Sequence, residues 1–141
     1  MTTTMPHILL VEDNPADANL VAEALAEEHI ECEVSVLRDG AQAITFIDRL
    51  DADQNQPRPD IVLLDLNLPK IAGHEVLKRV RTSPRCKNAM VLIVSSSDAP
   101  ADRETALKLG ANGYFQKPAN LEEFMELGPR IRALLELACQ S

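Results

Sequence analysis

The chain predicts an α/β fold, a doubly wound parallel sheet of five strands with five helices on its two faces. Two observations lead there. Short aliphatic runs alternate with longer segments of helical periodicity, and that alternation gives right-handed crossovers and parallel strands. Three of the runs, Ile8–Val11, Ile61–Leu64 and Met90–Val94, are apolar throughout, the pattern of strands buried on both faces. The 141 residues suffice for one domain with a sizeable core, placed at about residues 7–138. Aromatic residues make up only 3% and Trp is absent, so that core must be aliphatic.

The first strand is read as His7–Val11. Asn14-Pro15 then starts a helix over Ala16–Glu28, with Leu20, Val21, Ala24 and Leu25 on one face at helical spacing. Glu33–Leu37 alternates polar and apolar residues and reads as a strand nearer an edge. Asp39-Gly40 signals a turn, and Ala41–Leu50 follows as a helix with Ile44 and Ile47 facing in. Asp51–Pro59 is polar and contains prolines, so it reads as a surface loop longer than the connection needs. Ile61–Leu64 is the central strand. Gly73–Arg81 is a helix with Val76, Leu77 and Val80 inward, and Met90–Val94 is the next strand. Pro100–Leu109 is a helix ended by Gly110, and Gly113–Gln116 is the last strand. Asn120 caps the last helix. Pro129 interrupts that helix, where a proline loses a hydrogen bond, so a kink or restart is expected there.

Composition excludes several roles. A net charge of −8 with no basic patch argues against direct nucleic-acid binding, which needs a surface that neutralises phosphates. Cys32, Cys86 and Cys139 are odd in number and widely spaced, with no CxxC, which suits unpaired thiols in a reducing compartment. His7, His29 and His74 show no ligand spacing. Met1–Thr4 lacks the basic and apolar segments of a signal peptide, and no apolar run approaches the ~20 residues that cross a bilayer. The expected address is the cytoplasm, without membrane contact.

The chemistry sits at the carboxyl ends of the strands, where open parallel sheets bind ligands. Asp65 follows Ile61–Leu64, Glu12-Asp13 follow the first strand, Ser95 follows the fourth, and Lys117-Pro118 follow the fifth. A carboxylate at the end of a buried strand costs free energy unless something compensates it. If the first and third strands are neighbours, Glu12, Asp13 and Asp65 lie about 4.8 Å apart, one strand spacing. Carboxylates that close protonate or share a cation, and Mg²⁺ suits an all-oxygen set. A carboxylate beside Mg²⁺ can attack phosphorus, with Lys117 neutralising charge and Ser95 bonding a phosphoryl oxygen. Each residue alone reads as a helix cap or a solvated turn; their joint occurrence at four strand ends carries the reading.

These residues resemble the receiver domain of two-component response regulators. The resemblance rests on ILLVEDNP (Ile8–Pro15), VLLDLNLPKIAG (Val62–Gly73), VLIVSSSDA (Val91–Ala99) and GYFQKP (Gly113–Pro118), and covers His7–Leu137. It implies a flavodoxin-like sheet of order 2-1-3-4-5, with Asp65 as phosphoacceptor and Asp13 as the main metal-binding acid. Glu12 would help through water, and the Asn67 backbone carbonyl would join the Mg²⁺ site. Ser95 would bond the phosphoryl group, Lys117 would be the catalytic lysine, and Tyr114 would swing inward on activation. The implied donor is a histidine on a sensor kinase, and the domain would catalyse its own phosphorylation and slow autodephosphorylation. The long loop and the NLPK context resemble a subgroup, stand-alone regulators paired with bacterial phytochrome kinases. Ala72 departs from the family, where Asp or Asn commonly precedes the glycine, and Ser95–Ser97 is a triple serine. The chain ends at Ser141, which reads as a single receiver domain over 1–141 without an output domain.

The expected switch draws Ser95 and Lys117 toward the phosphoryl group, moves the loop from Ser95 to Pro100, and reshapes the surface of the fourth helix, fifth strand and fifth helix. In the last helix Leu121, Phe124, Met125 and Ile131 are expected to face the sheet. Leu127, Leu134 and Leu137 fall on a partly different face, which suggests a homodimer through this region. Three other readings compete: a pseudo-receiver binding module without phosphotransfer, a Mg²⁺-dependent phosphohydrolase, and an FMN binder. Asn67 disfavours the phosphohydrolase, because it stands where such enzymes carry a second Asp as acid/base. The acidic first loop disfavours a phosphate-cradling FMN site.

Overall fold

In the computed structural model, which describes residues 5–140 with side chains through residue 138, five parallel strands form one sheet in the order β2-β1-β3-β4-β5. The strands are β1 (His7–Val11), β2 (Glu33–Leu37), β3 (Ile61–Leu64), β4 (Met90–Ser95) and β5 (Gly113–Gln116). The helices are α1 (Pro15–Glu27), α2 (Gly40–Ala52), α3 (Gly73–Thr82), α4 (Pro100–Lys108), α5 (Leu121–Phe124) and α6 (Leu127–Gln140). Expected and observed ends agree within two residues, except that the last helix comes in two pieces. The reading of Met1–Thr4 as free of a leader lies outside the described residues, and that of Cys139 as an unpaired thiol outside the described side chains; Cys32 and Cys86 are free thiols. No helix among the described residues is long and apolar enough to cross a membrane.

Strand alternation divides the core. Leu9, Val11, Val62, Leu64, Val91, Ile93 and Tyr114 pack toward α2, α3 and α4. Ile8, Leu10, Ile61, Leu63, Leu92, Val94 and Phe115 pack toward α1, α5 and α6. Helical spacing explains the partners: Val76, Leu77 and Val80 of α3 are fully buried, as are Ala43 and Ile47 of α2. Ile44 and Leu20 are only partly buried at the margins of their helix stripes. β2 is an edge strand, and Val34 and Val36 remain exposed on it.

Two local expectations are corrected. Asp51 and Ala52 belong to α2 rather than to the following loop, because Asp51 is anchored by Arg79 of α3 (2.7 Å) and by the Ser83 hydroxyl (2.6 Å). The chain breaks at Met125-Glu126 and restarts at Leu127, so Pro129 falls in the first turn of α6, where a missing N–H leaves no bond unmade. The Gly128 N–H donates to the Met125 carbonyl (3.1 Å), the oxygen an uninterrupted helix would have aimed at residue 129. Phe124, Leu127 and Ile131, spaced i, i+3 and i+7, keep one buried face across this break. Leu127 is fully buried and Leu121 is exposed, the reverse of the sequence expectation; Phe124 and Ile131 are buried and Leu137 is exposed, as expected. Leu134, placed on the partly different face, packs partly into the core.

The loop between β3 and α3 is fixed against α2. Gly40 donates its N–H to the Pro69 carbonyl (3.4 Å), and a Cβ on Gly40 would run into the Ile71 carbonyl. Lys70, in the left-handed region at φ 70°, pairs with Asp39 (3.4 Å), which caps α2. We therefore expect Gly40→Ala to cost about 1–3 kcal/mol in urea unfolding, as an overpacked site with no space to relax. Pro129→Ala should move stability by less than about 1 kcal/mol, since only the entropy of the unfolded chain changes.

Candidate functional site

Register assembles the site. Val11 is paired with Leu64, so the next residues, Glu12 and Asp65, emerge side by side, and the Asp65 N–H donates to the Val11 carbonyl (3.1 Å). Ser95 is paired with Gln116, and the Lys117 N–H donates to the Ser95 carbonyl (2.8 Å). Alternation carried past the strand ends turns Glu12, Asp65 and Lys117 toward the α1 side, and Ser95 and Tyr114 toward the α4 side. Gly73 completes the frame, because a Cβ there would collide with the Asp65 carbonyl. That contact gives a steric reason for a glycine at position 73.

The Lys117 ammonium is the hub. Its Nζ lies 2.8 Å from Glu12 Oε1, 2.8 Å from Asp17 Oδ2 and 3.1 Å from Asp65 Oδ2, with only 10% of the side chain exposed. Glu12 and Asp65 are buried, and Asp13 is exposed at the rim. Asp65 Oδ1 accepts the Asn67 N–H (3.1 Å), and Glu12 Oε2 accepts the Asn14 N–H (3.1 Å). Burial pushes the Glu12 carboxyl up to about 7, Lys117 opposing and the Asp65 charge adding to the rise. Burial would push the Lys117 ammonium down, but hydrogen bonds to Asp17 and Glu12 and the Asp65 charge outweigh it and hold it above its ordinary value.

Oxygens of Glu12, Asp13 and Asp65 all lie within 4.8 Å of one another. The donor set is all carboxylate, it exceeds the charge of the one ammonium facing it, and Asp13 leaves a side open to water. A hard divalent cation that keeps part of its hydration fits these features. Asn67 is exposed and touches the cluster through its N–H.

Ser95 is fully buried, and its Oγ accepts the Ser97 N–H (3.2 Å). Tyr114 is only 8% exposed: its hydroxyl donates to the Ser97 carbonyl (2.9 Å), and the Arg103 guanidinium sits 5.0 Å from the ring centroid. Both contacts hold the Tyr114 ring inward. Sequence reasoning missed Asp17 and Arg103. An acid in the first turn of a helix also reads as a favourable partner of the helix dipole, and nothing in the sequence distinguishes the two roles.

Residues 8–127 match the family described as the response regulator receiver domain. The response regulator Rcp1 of Synechocystis sp. is 39% identical over 120 residues, covering 85% of this chain and 82% of that protein. The phosphorylated cyanobacterial phytochrome response regulator RcpA superposes with a TM-score of 0.83 at 37% identity, over 94% of each chain. The Mn²⁺-bound form of Rcp1 superposes with a TM-score of 0.80 at 38% identity, over 91% of this chain and 92% of that one.

The raised Glu12 group has a consequence for stability. The folded protein binds more protons than the unfolded chain between Glu12's ordinary value of 4.5 and about 7. Its contribution is therefore fully present below that window and is lost as pH rises through it, on the order of 3 kcal/mol in metal-free buffer. Urea unfolding from pH 4.5 to 8 should show Glu12→Gln gaining on the wild type as pH rises; parallel curves would contradict the shift.

Proposed function

The chain belongs to the response regulator receiver domain family, and on that footing we propose that it takes a phosphoryl group from a sensor histidine kinase onto Asp65. The convergence of Lys117 on Asp65 beside the acids of β1 carries this reading. An Asp65 carboxylate oxygen attacks phosphorus, the bond from phosphorus to the kinase histidine breaks, and its electron pair returns to the imidazole nitrogen. The Asn67 N–H fixes one carboxylate oxygen, and the Lys117 ammonium beside the other neutralises the arriving phosphoryl oxygens. A Mg²⁺ held by Glu12, Asp13, Asp65 and the Asn67 carbonyl would add charge neutralisation and positioning. The same groups would support slow autodephosphorylation by water. The likeness to a cyanobacterial phytochrome response regulator supports a kinase of the phytochrome type. The cysteine usage suits the cytoplasm, and the acidic surface disfavours direct binding to nucleic acid.

Output follows from Ser95. Its hydroxyl turns to the phosphoryl group and pulls the loop that holds Ser97, to which Tyr114 is hydrogen-bonded. The surface of α4, β5 and the last helix changes with that loop. Leu107 of α4 and Leu121 and Leu137 of the last helix segments are exposed, about half of each side chain meeting solvent. These residues support a homodimer through this region.

Incubation with acetyl phosphate and Mg²⁺ should label the wild type, and Asp65→Asn should abolish the label. Equal labelling of both would remove Asp65 as acceptor. No labelling of the wild type, with no Mg²⁺ heat in calorimetry, would favour the pseudo-receiver reading. Light scattering should show a dimer that Leu121→Ser with Leu137→Ser weakens; a monomer at all concentrations, with and without a phosphoryl analogue, would remove the dimer.

A further inference from the structure

We infer that Asp17 is a positioning residue for phosphoryl transfer: it tethers the Lys117 ammonium above Asp65 from the α1 side. The inference rests on the function proposed above, but Asp17 lies outside the set of residues that reading uses.

The geometry is specific. An ammonium has three N–H bonds, and Lys117 Nζ has three carboxylate partners, Glu12, Asp17 and Asp65, at 2.8, 2.8 and 3.1 Å. Two of these partners, Glu12 and Asp65, also belong to the cluster whose oxygens lie close enough to share a cation, and Asp17 does not. When Glu12 and Asp65 turn to a cation and a phosphoryl group, Asp17 is the partner left to hold the lysine.

Its own position is well fixed. Asn14 caps α1, accepting the N–H groups of Ala16 (2.9 Å) and Asp17 (3.4 Å), and Pro15 opens the helix. Asp17 is therefore carried on a rigid first turn, and its side chain is only 25% exposed. Lys117 comes from the opposite part of the sheet. It leaves the end of β5 and reaches past β4 to Asp65 at the end of β3 and Glu12 at the end of β1. A long, flexible side chain spanning that distance loses much rotamer freedom, and a partner at its tip holds it in the productive geometry before the reaction.

The test uses the full chain. With acetyl phosphate and saturating Mg²⁺, Asp17→Ala should slow labelling of Asp65 about tenfold, the effect of misplacing one charge-assisted hydrogen bond at the transition state. Asp17→Asn, which keeps a carbonyl acceptor, should recover part of that loss. In a Lys117→Ala background the Asp17→Ala effect should vanish, because the residue acts through the lysine. An unchanged or faster rate in Asp17→Ala, or an equal loss with and without Lys117, overturns the inference. A second measurement does not depend on phosphotransfer: the rate at which an amine-reactive acyl ester modifies Lys117, followed by mass spectrometry. Asp17→Ala should raise the rate at Lys117 and leave Lys78 and Lys108 unchanged, and no rise at Lys117 overturns the tether. If the wild type takes no phosphate, the function fails while the ester experiment still decides the tether.

Discussion

One buried ammonium facing three carboxylates is the interaction on which the rest of this molecule depends. Among the described residues Lys117 is the sole cation in the ion pairs of the strand-end cluster, and Glu12 and Asp65 are almost fully removed from water. Removing carboxylates from water is costly unless charge is returned to them. Lys117 returns part of it, and the remainder leaves the Glu12 carboxyl far above its ordinary value. The cluster is therefore under-neutralised by construction. An under-neutralised set of oxygens favours a cation and then a phosphoryl group attended by that cation, so the instability of the site and its proposed activity share one origin.

The sheet makes that arrangement affordable. The aliphatic runs Ile8–Val11 of β1 and Ile61–Leu64 of β3 are buried on both faces, which fixes their register. A slip of one residue would turn Glu12 or Asp65 to the opposite face, away from Lys117. The same alternation separates the two tasks of the site. Residues with the parity of Glu12, Asp65 and Lys117 meet α1, where charge is held. Residues with the parity of Ser95 and Tyr114 meet α4, where the Ser97 carbonyl and Arg103 hold the ring. The charged cluster and the proposed switch residues thus occupy opposite faces of the same strand ends.

The α2 and α3 side supplies rigidity instead of chemistry. Asp51 gathers Arg79, the Ser83 hydroxyl and the Arg85 N–H, and Arg79 also binds Asp48, bracing α2 against α3. The loop after Asp65 is clamped at Gly40 and through Lys70 to Asp39. The Asp65 carboxylate therefore sits on a strand end whose following loop has little room to move.

Much of this was legible in the chain. Uninterrupted runs such as Ile61–Leu64 specify buried parallel strands, and a polar residue at each run's end marks the edge where the candidate site lies, because both signals are local and binary. Helix faces such as that of α3 were equally plain, since a single regular helix keeps its phase. The last helix was not. Its break lies at Met125-Glu126, ahead of Pro129, and the core is covered by the i, i+3, i+7 stripe of Phe124, Leu127 and Ile131, which leaves Leu121 in solvent. The lysine's third partner was hidden for a related reason. Asp17 and Lys117 are 100 residues apart in sequence, and only the packing of α1 against the sheet brings them to 2.8 Å. By itself the sequence determined which residues are strand, helix and strand end, because periodicity and burial are written locally. The tertiary structure alone decided which charges meet and where the last helix breaks, because those depend on packing between segments that no local pattern encodes.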